Sequence, residues 1–144
     1  HYHLLIRQLV DDGISTFIHK VQMGYTRIFN GKHRRSGTLY EGPFKAKRVG
    51  KDAYFTYLPV YTHLNALDLT DLNWRDGLVV DWGKAVERLN AYSWSSHGAY
   101  SQLGQYIPLI KEETVKSFYP NDGEYVKHLQ SWSQRHLTAL DVTW

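Results

Sequence analysis

The chain of 144 residues has no cysteine, which excludes disulfides and thiolate zinc centres and permits a reducing compartment. No apolar run reaches the length of a membrane span, and no signal sequence is visible. With only 4 prolines, and with no repeat or low-complexity stretch, nothing marks a flexible linker between domains. Charge of one sign is not strongly in excess. A net charge of +3, with a pI near 9.1, suits nucleic acid without requiring it. What the chain does have is a 42% hydrophobic and 15% aromatic composition, enough for a single core in one domain's length.

Its first residues are His1-Tyr2-His3, followed by the apolar run Leu4-Leu5-Ile6. In a β-strand alternate side chains share a face, so His1 and His3 project together and can hold one divalent ion. A solvated chain end or the remnant of a purification tag is the plainer reading of so short a motif.

Tyr61-Thr62-His63-Leu64-Asn65 adds to it. In a helix starting near Asp52, positions four apart lie on one face, so the Tyr61 phenol and the Asn65 carboxamide point the same way. Packed against the His1/His3 face, that helix would bring a nucleophile and a third ligand to the same ion. Two neutral imidazoles and an amide oxygen form a site of low charge, compatible with Mg2+ or Mn2+ when phosphate oxygens complete the shell, though zinc or nickel would bind too. Such an ion polarises a phosphodiester. Tyrosine, with an unperturbed pKa of about 10, needs such help to attack, but the ester it forms conserves bond energy for strand transfer.

Charge clusters between these motifs. Apolar positions Ile14, Phe17, Ile18, Val21, Tyr25, Ile28 and Phe29 predict an amphipathic helix from Ile14 to about Asn30, capped by Asp12 or Ser15, with Tyr25 in the core. A basic loop, Lys32-His33-Arg34-Arg35, follows. Lys45, Lys47 and Arg48 then end a strand-like stretch from Thr38, where Lys45 and Lys47 share a face. Basic runs are more often solvated faces than binding sites, but the interleaved Tyr40 and Phe44 favour DNA, since bases stack on rings while cations track phosphates.

Other titratable groups read more plainly. His63 points away from the Tyr61 face and is taken as packing or surface, and His19, His33, His97, His128 and His136 as surface. Tyr54 and Tyr57 are rival nucleophiles that lack an amide four residues later. Asp71 to Asp76 reads as a polar connection, Trp82 to Leu89 as a helix, Tyr92 to Gly104 as a serine-rich turn, and Glu124 to Leu140 as an amphipathic helix.

In block order, His1-Tyr2-His3-Leu4-Leu5-Ile6, Gly24-Tyr25-Thr26-Arg27-Ile28-Phe29-Asn30, Arg35-Ser36-Gly37-Thr38-Leu39-Tyr40-Glu41-Gly42, Phe44-Lys45-Ala46-Lys47, Tyr61-Thr62-His63-Leu64-Asn65 and Tyr92-Ser93-Trp94-Ser95-Ser96, the chain resembles one family. It is similar to the REP-associated tyrosine transposases, single-tyrosine HUH nucleases of the insertion-sequence-200-like group. The resemblance implies an enzyme that nicks and rejoins single-stranded DNA beside a hairpin through a 5′-phosphotyrosine. It implies Tyr61 as nucleophile, His1, His3 and Asn65 as ligands of Mg2+ or Mn2+, and an alternative in which a catalytically inactive relative only binds the hairpin. Lys32, Arg34, Arg35, Lys45, Lys47 and Arg48 are the DNA-binding candidates.

The fold so implied is α+β, a ferredoxin-like antiparallel sheet, incomplete at the N-terminus because relatives carry strands before the HUH block, with a helical C-terminal extension. Residues 1–70 would be the catalytic core and 71–144 the extension of the same domain. A cytoplasmic, nucleoid-associated bacterial protein, monomeric or homodimeric, is expected. Three positions depart from the family: Ala66 stands where proline follows the asparagine, Pro43 replaces an arginine, and Pro59 lies inside the Tyr61 helix.

Overall fold

A computed structural model describes residues 2–50, 52–70, 72–101, 107–119 and 121–135. Its described residues hold helices, turns and coil, and no strand. The expected α+β, ferredoxin-like sheet is therefore not present among them. The physical reason is pairing, because a strand satisfies its backbone N–H and C=O groups only on a neighbour. Neither the Tyr2–Leu9 run nor the stretch from Thr38 to Arg48 shows such a ladder, and Leu4, Leu5 and Ile6 stay exposed. Alternation supplied a pattern without a partner. The shared face of Lys45 and Lys47 falls with the strand that defined it.

The chain divides into two compact units, residues 1–48 and 49–144. In the first, α1 spans Gly13–His33, so the helix takes in Lys32 and His33 of the expected basic loop. Asp12 occupies the N-cap position with φ 54° but makes no side-chain cap bond. The C-terminus closes as a Schellman turn: Arg34 adopts φ 50°, its N–H reaches the Gly31 carbonyl, and the Arg35 N–H reaches that of Asn30 at 3.0 Å. Of the apolar stripe only Ile18 is buried, and Tyr25, expected in a core, is exposed.

The second unit is built around α2, Asp52–Leu64, which is apolar on nearly all sides and correspondingly central. Tyr57, Leu58, Val60, Tyr61 and Leu64 are all buried in it. Pro59 lies inside the helix, which continues across it to Leu64. Two capped helices add to the core of this unit. α3, Trp82–Ala91, starts where the Asp81 carboxylate accepts the Lys84 N–H at 3.0 Å, and it buries Ala85 and Leu89 one turn apart. α6, Asp122–Ser133, starts where the Asn121 side chain accepts the Glu124 N–H at 3.1 Å, and it buries Tyr125 and Leu129. α6 packs against α2, and α3 against the 3-10 turn Asn65–Leu69 that follows it. Short helices α4, His97–Tyr100, and α5, Glu112–Lys116, complete the unit. Of the helix expected over Glu124 to Leu140, residues 136–140 lie outside the described residues. No helix among those described is long and apolar enough to cross a membrane.

Gly77 ends the turn Trp74–Asp76 with φ 71°, and a Cβ there would stand 3.1 Å from the backbone of Gln134 and Arg135. Backbone cannot yield as a flexible side chain can. Gly77→Ala is expected to cost about 1–3 kcal/mol from the left-handed conformation and the clash together, read as a lowered urea midpoint at unchanged m-value.

Candidate nucleophile site

Tyr61 sits in the last turn of α2, and a 3-10 turn over Asn65–Leu69 carries the chain on past Asn65 and Asp68. Thr70 then reverses it, its hydroxyl donating to the Leu67 carbonyl at 2.6 Å and accepting the Leu72 N–H at 3.2 Å. The reversal returns Trp74 and Arg75 to the end of α2. Trp74 is fully buried against the Tyr61 ring, and its indole N–H donates to Asp68 Oδ1 at 2.7 Å.

Arg75 joins these groups. Its Nε donates to Asp68 Oδ1 at 3.0 Å and its Nη2 to Asp68 Oδ2, a two-point fork that fixes the guanidinium plane. Nη2 also donates to Asn65 Oδ1 at 2.8 Å, and Nη1 lies 3.4 Å from the Tyr61 hydroxyl. The cation stands 5.4 Å from the Tyr61 ring centre and 4.7 Å from that of Trp74. The Asp68 hydrogen bond raises the Arg75 pKa above its ordinary value, against the opposing effect of burial. Thus the structure brings Tyr61 and Asn65 together on one guanidinium.

A second polar cluster lies on the other side of α2. His63, only 2% exposed, bonds Ser96 Oγ through Nε2 at 2.7 Å and the Tyr125 hydroxyl through Nδ1 at 2.6 Å. His97, 1% exposed, bonds the same hydroxyl through Nδ1 at 3.2 Å and Asn90 Oδ1 through Nε2 at 3.1 Å. One proton order satisfies every member: Asn90 accepts from His97, Tyr125 donates to His97 and accepts from His63, and Ser96 donates to His63. Burial lowers the His63 pKa to about 3, helped by the neighbouring His97, and lowers that of His97 to about 4. Both imidazoles are neutral parts of the core. The reading of His63 as packing or surface narrows to packing, and His97 is not a surface histidine.

Two of the sequence blocks acquire a physical link here. Ser96 of the Trp-Ser-Ser block holds His63 of the Tyr-x-His-x-Asn block, and Ser95 Oγ accepts the His97 N–H at 3.1 Å. Together they pin the end of α2 that presents Tyr61. Of the rival nucleophiles, Tyr57 is buried, and the Tyr54 side chain lies outside the described residues.

The metal ligands fare differently. His1 lies outside the described residues, as does His136, and His3 is half-buried in the first unit. Among the described residues no group of three or more His, Asp or Glu could hold an ion. In the second unit the ligand oxygen, Asn65 Oδ1, already accepts from a guanidinium. A divalent ion on that oxygen would sit beside a fixed cation, so Asn65 as placed does not fit the Mg2+ or Mn2+ that the resemblance implies.

The DNA-binding candidates all belong to the first unit. Lys32 closes α1, Arg34 caps it, and Lys45, Lys47 and Arg48 lie exposed along coil. Arg35 is engaged locally: its guanidinium donates to the Thr38 carbonyl at 3.1 Å and lies 5.8 Å from the Phe29 ring centre.

The chain matches no protein-family model, no curated protein and no solved structure.

Sequence reasoning passed over Asp68, Trp74 and Arg75. A tryptophan and an arginine adjacent in a polar connection were the available signal, but their bearing on Tyr61 depends on the chain reversal at Thr70, which no periodicity reports.

Proposed function

We propose that the chain is a transposase that nicks and rejoins single-stranded DNA beside a hairpin, with Tyr61 as nucleophile. The observation that supports this most is the meeting of the Tyr61 hydroxyl and the Asn65 carboxamide on Arg75. In the step proposed, the phenol oxygen bonds to phosphorus and the P–O3′ bond breaks. The phenolic proton passes to solvent and the departing 3′ oxygen takes one up. One ester replaces another, so the reaction needs no energy source and the 5′-phosphotyrosine can be resealed. The exposed cations Lys32, Arg34, Lys45, Lys47 and Arg48 supply a surface for the phosphate backbone.

The test is incubation with hairpin-bearing single-stranded oligonucleotides in Mn2+, Mg2+ or EDTA, followed by denaturing electrophoresis. A covalent adduct with a released 3′-hydroxyl strand is expected. Salt-dependent binding with no adduct in any condition defeats the enzyme and leaves the second reading, a hairpin-binding protein. That reading is favoured by the hold of Arg75 on the oxygen a metal would need.

A further inference from the structure

Arg75 carries five N–H donors in a plane. Nε uses one on Asp68, and Nη2 uses its two on Asp68 and Asn65. Nη1 has two left: one faces the Tyr61 hydroxyl at 3.4 Å, the long limit of a hydrogen bond, and the other has no acceptor among the described residues. The Arg75 side chain is 42% exposed, while Tyr61 is only 8% exposed. Arg75 is thus the more exposed of the two, and its Nη1 edge lies beside the phenol oxygen. Asp68 neutralises the far side of the guanidinium and fixes its orientation, leaving the positive end of the pair directed at the phenol.

We propose that Arg75 is a phosphate-binding residue of this site, its Nη1 edge donating to a non-bridging oxygen of the phosphodiester that lies beside the Tyr61 hydroxyl. Because Asp68 fixes the guanidinium plane, the Nη1 N–H keeps one direction beside the phenol, which a flexible ammonium would not. Asp68 and Trp74 act as positioning residues, one gripping the guanidinium and the other stacking against it. The inference rests on the reading of Tyr61 as nucleophile for its place in a reaction, but the binding it asserts does not require cleavage.

The probe is a hairpin oligonucleotide carrying a single neutral methylphosphonate at each position in turn, with affinity measured for wild type, Arg75→Lys and Arg75→Met. In wild type, one position is expected to lose roughly tenfold to a hundredfold in affinity, the effect of a charge-assisted hydrogen bond. In Arg75→Met the same substitution should cost at most about twofold, because the partner is already gone. Arg75→Lys should fall between, and it keeps the comparison available if the methionine variant does not fold, as a thermal melt will show. Equal methylphosphonate losses at every position in wild type and in a folded Arg75 variant overturn the proposal. If the coupling is present and no adduct forms, Arg75 stands as a phosphate contact and the nucleophile reading of Tyr61 falls.

Discussion

Tyr61→Phe is expected to abolish the covalent protein–DNA adduct, by at least about a thousandfold, while the protein stays folded and still binds hairpin DNA. Removing the phenol oxygen removes the only atom at this position able to bond to phosphorus. The structural cost is small. The hydroxyl meets Arg75 at 3.4 Å, whereas the guanidinium keeps its stronger bonds to Asp68 and Asn65. The ring itself, in contact with Tyr57 and Trp74, is retained in phenylalanine, so the core keeps its volume. A stability loss of about 1 kcal/mol or less is expected. Binding and chemistry thus separate in one variant. An adduct that persists in Tyr61→Phe at wild-type yield, mapped by peptide mass, assigns the nucleophile elsewhere, with Tyr54 the first position to inspect.

The parts of the molecule that follow from local periodicity were legible in the sequence. Apolar residues recurring from Ile14 to Phe29 marked α1, and the four-residue spacing of Tyr61 and Asn65 marked two groups on one side of a helix end. Nonlocal arrangements were not legible. Alternation from Thr38 to Arg48 resembles a strand, but a strand exists only with a partner, and partnering is a property of the whole chain. Neither His63 nor His97 is paired in sequence, so no pattern marks them as one buried cluster. Both are buried because Tyr125, from α6, supplies a hydroxyl between them. Arg75 reaches Tyr61 only through the turn made by Thr70 and a carboxylate at Asp68. A single charge in a polar stretch carries no sign of that role.

The buried histidine pair makes acid sensitivity the second large effect. Unfolded histidines titrate near 6.5, whereas His63 and His97 are held to about 3 and about 4 by burial. Above the unfolded value both states are neutral, and stability does not depend on these groups. Below it the unfolded chain binds two protons that the folded chain refuses, so stability falls as pH drops and goes on falling until the folded values are reached. Between pH 8 and pH 5 the loss comes to roughly 4 kcal/mol for the pair, a large part of the ~5–15 kcal/mol that holds a typical domain together. Among the described residues the groups bonded to or stacked on the pair are Tyr100, Tyr125, Ser96 and Asn90, and none of these carries a negative charge near neutrality. Protonation would also break the proton order of the chain, since Nε2 of His63 and Nδ1 of His97 would both have to donate where each now accepts. Urea unfolding at pH 8 and pH 5 is expected to show the drop. In His63→Gln/His97→Gln, stability at pH 8 should already be lower, and the same pH change should cost much less. Equal unfolding free energies for wild type at the two pH values would mean that the two imidazoles are not buried in this cluster.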